Sequence, residues 1–286
     1  MDLSIIIVNY NTRDLTNQTI DSIIKYTENI DYEIIVVDNS SDKKQQCKYK
    51  NEQVTVLLDI ENHGFGHACN VGAKEAKGRF LLFLNSDTLI HDNSLMKCVK
   101  YMKNNQDIGV LGARILLRDG TLDHGCKRGF PTPSAAFYYY AGLDKKYPTS
   151  IKFGAYRQTF LCETETNEVD SVSGAFLMIS KTLFENVKGF DETFFMYGED
   201  LDLCFRVKEN GYKVVYFPEA VITHLKGQSG LYKSSKIVIY HFYNAMILFY
   251  KKHYKDKYNF IITILVYSAV KIKYWLTLLK REVLND

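Results

Sequence analysis

Continuous apolar runs alternate with helix-period patterns through the first third of the chain. Leu3–Val8 (LSIIIV), Tyr32–Val37 (YEIIVV) and Phe80–Leu84 (FLLFL) are short blocks with almost no polar interruption. A strand with one wet face alternates, so blocks of this kind predict strands buried on both faces. Val54–Leu58 is expected to be a further buried strand. Between these runs, Asp14 to Tyr26 places Leu15, Ile20, Ile23 and Ile24 on one helical face. The loop His63–Gly66 leads into a helix through Ala76, with Gly78 suited to cap its C-terminus. Asn93 to Asn104 reads as another helix. Strand–helix alternation predicts an α/β protein with a mainly parallel central sheet flanked by helices.

The pattern then changes. Arg118 to Asn167 holds Pro131, Pro133, Pro148 and the aromatic group Phe137–Tyr140 without a sustained period. That segment is either a structured insertion or a mobile loop. Regular patterning resumes at Val169–Ile179. A helix is expected from about Gly198 to Asn210, stopped by Gly211, and a strand over Lys213–Phe217. Helices are expected again from about Ile237 to Lys280.

Composition narrows the classes. Of 286 residues, 46% are hydrophobic and 24% charged, a globular balance that excludes a disordered chain. A net charge of +3 is too mild for a nucleic-acid footprint, so no nucleic-acid partner is expected. The six cysteines are scattered without zinc or redox spacing, which points to reduced thiols and a cytoplasmic location. No signal-peptide pattern opens the chain. Tyr258 to Leu279 is apolar but interrupted by Lys271 and Lys273, so a surface-lying helix is expected rather than a spanning one. The same region mixes Lys251, Lys252, Lys255, Lys257, Lys280 and Arg281 with Tyr250, Tyr254, Tyr258, Tyr267, Tyr274 and Trp275. That mixture suits docking on an anionic membrane surface. The alternative is packing against the rest of the chain or a partner subunit.

Ligands bind open α/β sheets at the carboxyl ends of their strands. Three such ends here are polar: Asn9-Tyr10-Asn11, Asp38-Asn39-Ser40 and Asn85-Ser86-Asp87. Asp87 can hold a divalent cation against a diphosphate, since hard cations take oxygen ligands. His63-Gly64-Phe65-Gly66 does not match the dinucleotide fingerprint. Glu199, Asp200 and Asp202 open a helix behind the aromatic run Phe194–Tyr197, which suits either helix capping or a partly desolvated catalytic carboxylate. His224, taken alone, is a metal ligand or a satisfied surface histidine.

Seven segments occur in order: SIIIVNYNT, EIIVVDNSS, ENHGFGHACNVGAKEAKG, FLLFLNSDT, VDSVSGAFLMISK, GFDETFFMYGEDLDLCFR and VITHLKGQS. This series resembles family 2 glycosyltransferases with the GT-A fold, and within them the bacterial rhamnosyltransferase-like branch. The resemblance covers about residues 3–230. It implies a catalytic domain over 1–230, with a nucleotide-binding half over about 1–115 and an acceptor-side half over about 116–230. A helical region over 231–286 follows. Further implications concern single residues. Asp38 contacts the base or ribose of a nucleotide sugar, and Asn9 and Asn11 line the same pocket. Asn70 lies near the nucleotide. Asn85-Ser86-Asp87 stands at the family's Asp-x-Asp position, with Asn in place of the first carboxylate and Asp87 as metal ligand. His224 completes the site for Mg²⁺ or Mn²⁺. Glu199-Asp200 is the acidic pair whose second member is the general base.

The implied reaction is an inverting transfer of a sugar from a nucleotide-diphosphate donor to an acceptor hydroxyl. The branch suggests dTDP-L-rhamnose, with UDP-hexose or UDP-N-acetylhexosamine as alternatives. The acceptor is expected to be a glycan or polyprenyl-linked glycan of bacterial surface polysaccharide synthesis, handled on the inner face of the cell membrane. A nucleotidyltransferase or a non-catalytic nucleotide-sugar binding module are the other classes considered. The oligomeric state is left open, a dimer included.

Overall fold

The structure is a computed structural model that describes residues 1–59, 61–225 and 235–285. The expected boundary near residue 230 and the end of the VITHLKGQS segment lie outside the described residues. The chain opens with β1 (Leu3–Asn9), α1 (Arg13–Tyr26), β2 (Tyr32–Asp38), β3 (Val54–Leu58), α2 (Phe65–Glu75) and β4 (Phe80–Asn85). It continues with β5 (Thr88–Ile90), α3 (Ser94–Asn104), β6 (Ile108–Leu116), α4 (Pro133–Tyr140) and α5 (Leu143–Lys146). β7 (Asn167–Val169), β8 (Phe176–Ser180), α6 (Lys181–Asn186), α7 (Glu199–Glu209) and β9 (Lys213–His224) complete the sheet region. Two long helices follow, α8 (Lys236–His253) and α9 (Phe260–Asn285).

The strands form one mixed sheet in the order β3-β2-β1-β4-β8-β6-β9-β5, with β7 paired to β9. β3, β2, β1 and β4 run parallel, in a register that sets Asn9 beside Asp38 and Val8 beside Asn85. β8 enters antiparallel between β4 and β6, and β6 pairs parallel with β9. Ile5, Ile7, Ile34, Val36, Leu82 and Phe83 are fully buried, as two covered faces require. The polar ends of β1, β2 and β4 therefore emerge side by side at one edge.

Three expectations need correction, and one open alternative is decided. β3 is the edge strand and is only partly covered, so its apolar run does not mark a buried strand. Gly78 does not cap α2. Ala76 ends that helix in an extended conformation, and a Cβ on Gly78 would stand 2.4 Å from the Ser4 nitrogen, so close backbone approach requires the glycine. β9 runs on to His224, past Pro218, through a register break against β6 between Ala113 and Arg114. The middle segment is structured. Thr132 caps α4, with Pro133 at its first turn, and buried Lys127 donates to the Gln158 and Leu161 carbonyls.

α8 packs on α7. Phe194, Leu201 and Phe205 form a second core with Ala245, Phe249, Tyr250 and Tyr254. Tyr250 and Tyr254 are thus buried within the protein and not free for a lipid surface. Lys252 is engaged as well, in ion pairs with Asp191 (2.5 Å) and Asp202 (2.7 Å). α9 contrasts with α8. Phe260–Glu282 has a mean hydropathy of 1.5 over its most apolar stretch, of which only 6% is buried. By length and composition it is the one helix among the described residues able to cross a membrane, despite Lys271 and Lys273.

Candidate active site

The strand-end edge is built from local hydrogen bonding outward. Asn9 is fully buried at the end of β1, and its amide nitrogen donates to Asp38 Oδ2 (2.8 Å), Ser40 Oγ (2.9 Å) and the Gln45 carbonyl (2.9 Å). Its carbonyl oxygen accepts from Thr16 (2.7 Å) and Thr12 (3.1 Å). Asn9 is therefore saturated and acts by fixing Asp38. Asp38 also accepts from the backbone nitrogens of Ser40 and Cys47. Asn11, in the left-handed region at φ 56°, donates from its backbone to Ser40 Oγ and accepts from the Asp42 nitrogen, shaping the loop after β2. Ser86 meets Thr12 through their hydroxyls at 3.1 Å, and its carbonyl accepts from Thr19 at 2.9 Å.

Asn70, in α2, is engaged within the protein. Its carboxamide donates to the Phe190 carbonyl (2.9 Å) and Glu192 Oε1 (2.8 Å) and accepts from the Phe190 nitrogen (2.9 Å). It clamps the loop before the acidic helix instead of offering a free group to the strand ends. Gly64 belongs to the same clamp. It has φ 103°, and a Cβ there would meet the Phe195 carbonyl oxygen at 2.3 Å.

Asp87 and His224 come together. β5 lies antiparallel to β9 and sets Thr88 opposite His224. His224 Nε2 lies 3.1 Å from Asp87 Oδ1 and 3.4 Å from the Asn85 amide. Its Nδ1 lies 3.4 Å from Asp123 Oδ2, a residue the sequence reading did not single out. Burial lowers the imidazole pKa, but Asp123 and Asp87 outweigh it and hold the value at about 9. Among the described residues no three His, Cys, Asp or Glu side chains are placed to hold a metal ion together. Asp87 and His224 do supply one carboxylate oxygen and one imidazole nitrogen, a donor pair that fits Mg²⁺ or Mn²⁺ with its remaining positions open to phosphate oxygens. Asp123 would then fix the ring through its other nitrogen.

Glu199 and Asp200 open α7 after two left-handed residues, Tyr197 (φ 67°) and Gly198 (φ 83°). Asp200 is 8% exposed. Its Oδ2 accepts from Arg128 (2.7 Å) and the Gly174 nitrogen (2.9 Å), and its Oδ1 accepts from the Leu201 nitrogen (2.7 Å). A carboxylate has about four lone-pair sites, so one remains for an incoming hydroxyl. Glu199 is buried, and its Oε2 has no hydrogen-bond partner among the described residues. Burial first, and then the Asp200 charge, push its carboxyl upward. The turn Ser173-Gly174-Ala175 connects the two halves. The Asn85 nitrogen donates to the Ala175 carbonyl at 3.2 Å, while Gly174 reaches Asp200. Asp202 points elsewhere. It is fully buried and bonds Arg206 (2.8 Å) and His253 (2.7 Å), tying α7 to α8.

Arg128, like Asp123, was missed. Both sit in an aperiodic polar stretch, and neither position carries a local signal. Their roles arise from contacts with residues 72 and 101 positions away.

A nucleotide-scale strand edge, a carboxylate–imidazole pair and an acidic helix start are the parts of a sugar-nucleotide transferase, and the comparisons agree. Residues 4–188 match glycosyl transferase family 2, and residues 163–228 match a family described as the N-terminal domain of galactosyltransferase. The chain belongs to glycosyl transferase family 2. Rhamnosyltransferase WbbL of Escherichia coli is 29% identical over 227 residues, covering 75% of this chain and 80% of that protein. The O-antigen biosynthesis protein RfbC of Myxococcus xanthus is 27% identical over 79% of this chain, which spans only 17% of that longer protein. The N-acetylglucosaminyl-diphospho-decaprenol L-rhamnosyltransferase of Mycobacterium tuberculosis is 39% identical over 90 residues, covering 32% of this chain and 29% of that protein. Among solved structures, GalNAc-T7 with UDP, GalNAc and Mn²⁺ aligns with a TM-score of 0.59 at 17% identity, covering 86% of this chain and 47% of that one. The mannosyltransferase PcManGT of Pyrobaculum calidifontis, with GDP-Man and Mn²⁺, gives 0.58 at 14%, covering 98% and 73%. These likenesses establish the GT-A fold.

Proposed function

We infer that the protein is an inverting, metal-dependent glycosyltransferase that moves a sugar from a nucleotide-diphosphate donor to an acceptor hydroxyl. The observation that carries this reading is the convergence of the Asp87–His224 pair and Asp200 on one sheet edge, bridged by the turn at Gly174. Asp38, held by Asn9, receives the base or ribose. Asp87 and His224 hold Mg²⁺ or Mn²⁺, which when bound neutralises the charge of the departing diphosphate. Asp200 takes the proton of the acceptor hydroxyl as that oxygen bonds to the anomeric carbon. The bond from that carbon to the diphosphate oxygen breaks in the same displacement, so the configuration inverts. Arg128 and the Gly174 nitrogen keep the Asp200 carboxylate aimed during attack.

The names of WbbL and the mycobacterial relative favour dTDP-L-rhamnose as donor. The second name also favours a polyprenyl-diphosphate-linked glycan as acceptor, and RfbC favours surface polysaccharide synthesis. A lipid-linked acceptor gives the exposed apolar side of α9 a purpose, namely holding the enzyme at the inner, cytoplasmic face of an anionic membrane. Leu265 and Trp275 are each 62% exposed there. The test is release of nucleoside diphosphate from a panel of nucleotide sugars, with Mn²⁺ and with EDTA. Consumption of at least one donor, dependent on metal, is expected. A panel untouched under both conditions would contradict the reading and favour a binding module.

A further inference from the structure

A cavity of about 320 Å³ opens beside the two halves of the site, between the loop after β6, α4 and residues 156–157. Asp123 and Arg128 form its inner wall, so it touches both the partner of His224 and the partner of Asp200. Tyr139 and Tyr156 form an aromatic wall with ring centroids 5.1 Å apart. His124 stands at the exposed rim, and Arg157 completes the lining. A second cavity, near Asn105 and Lys213, lies at the opposite ends of β6 and β9, away from the strand-end carboxylates.

The chemistry of the lining is specific. The Arg157 guanidinium lies over the Tyr139 ring at 5.0 Å. Its Nε is 3.6 Å from buried Asp144, beyond hydrogen-bond length, and among the described residues it donates no hydrogen bond. Arg157 is thus ion-paired with Asp144 through Nε while its guanidinium donors are not committed to hydrogen bonds among the described residues, and a guanidinium fork recognises phosphate oxygens in pairs. Arg128 likewise keeps a buried Nε with no hydrogen-bond partner among the described residues. Tyrosine faces offer an apolar surface to the C–H side of a sugar ring, and burial, opposed by Arg128, pushes the Tyr156 hydroxyl pKa up. The cavity walls are held in place. Lys127 bonds the 158 and 161 carbonyls, and the Gly129 nitrogen donates to the Tyr156 carbonyl at 2.8 Å. α4 also faces the C-terminal helices. Next to Tyr139, the Tyr140 ring lies 3.7 Å under the Lys273 ammonium of α9, which has the exposed apolar side.

We propose that this cavity is the subsite for a phosphorylated saccharide: the sugar ring lies on Tyr139 and Tyr156, Arg157 grips the phosphate, and the reacting hydroxyl points toward Asp200. The proposal rests on the transferase reading, since it places the acceptor's phosphate-bearing end, but the site's ligand chemistry is testable without turnover. The ligand's phosphate belongs either to a lipid diphosphate headgroup or to a free sugar phosphate. α4, standing between the cavity and α9, favours the former.

The test is calorimetry on the full chain, with N-acetylglucosamine 1-phosphate titrated in the absence and presence of saturating dTDP and Mn²⁺. The dTDP titration reports on the nucleotide site separately, so its failure would count against the transferase reading alone. Binding of the sugar phosphate is expected in both conditions, weakened at least about tenfold in Arg157→Gln and in Tyr139→Ala with dTDP affinity unchanged. N-acetylglucosamine and inorganic phosphate alone should each bind more weakly. A short prenyl diphosphate ester of the same sugar in detergent micelles distinguishes the sources: tighter binding identifies the lipid headgroup, and equal binding the free sugar phosphate. Tyr139→Ala sits on a half-exposed helix face and leaves Asp144 paired, so it remains informative should Arg157→Gln misfold. No binding by the wild type, binding indifferent to both substitutions, or inorganic phosphate binding as well as the ester would each overturn the proposal.

Discussion

The His224 cluster and the Asp200 cluster both set carboxylates beside a cation, and the kind of cation separates their chemistry. At His224 the cation is an imidazolium between Asp87 and Asp123. An imidazole can release its proton and present a lone pair, so this cluster can exchange a proton for a metal. At Asp200 the cation is Arg128, which keeps its charge at any working pH. That carboxylate cannot be emptied for a metal. It can only share a remaining lone pair with an entering hydroxyl. Two similar-looking ion clusters thus suit two different tasks, one receiving the leaving group and the other the acceptor. Asp202 is the internal control. It lies two residues from Asp200 on the same helix turn, yet every contact it makes is structural.

The sharpest way to break this comparison is Asp200→Asn. Turnover should fall at least about 100-fold while donor affinity stays unchanged, because only the proton acceptor is lost. Steady-state transfer kinetics beside donor titration would check it, and near wild-type turnover would move the role to Glu199. A smaller effect is expected at Asp123→Ala. Removing the group that orients His224 should weaken Mn²⁺ affinity by about 10–100-fold, as outer-shell losses generally do. A Mn²⁺ titration at fixed dTDP reads this out, and unchanged affinity would deny Asp123 any positioning role.

Asp202 should respond in stability alone. Burial raises its carboxyl, but His253, Arg206 and Lys252 outweigh burial and bring it to about 2, against 3.8 for a free aspartate. The contribution, about 2 kcal/mol, is complete above about pH 4 and is lost as pH falls through about 2. Urea unfolding of wild type and Asp202→Asn should differ near pH 6 and converge in strong acid, and a constant difference across that range would refute it. The smallest change concerns no chemistry. Leu265→Glu with Leu276→Glu on α9 should abolish flotation with anionic vesicles while leaving soluble nucleotide-sugar hydrolysis intact. Equal flotation of both proteins would refute membrane docking through this helix.

What was readable in the sequence follows the range of the interactions. Leu3–Ile7 and Phe80–Leu84 announce themselves because each residue is buried within one sheet covered on both faces, a strictly local signature. β6 was missed because Gly109 and Gly112 interrupt its pattern. Each glycine leaves room for a neighbour, since a Cβ would stand 2.5 Å from Val207 or Val172 side-chain atoms. The far half of β9 was hidden by Pro218 at the register break. The strand-end polar groups and the Glu199-Asp200 pair were visible as types. The saturation of Asn9, the clamp made by Asn70 and the structural duty of Asp202 depend in part on partners 29 to 122 positions away. No local pattern encodes such partners. The expectation that α9 lies flat rested on Lys271 and Lys273. It is a single helix of 26 residues, packed on α8 along one side and exposed on the other, and its length and composition suffice for a crossing.

The division of labour between the two clusters is tested most directly by calorimetric titration of dTDP and UDP into wild type and Asp87→Ala, with Mn²⁺ and then with EDTA. The account predicts that at least one nucleotide binds the wild type in Mn²⁺, that EDTA weakens it strongly, and that Asp87→Ala binds weakly whether or not metal is present. Equal nucleotide affinity for the wild type in Mn²⁺ and EDTA, matched by Asp87→Ala, would contradict it.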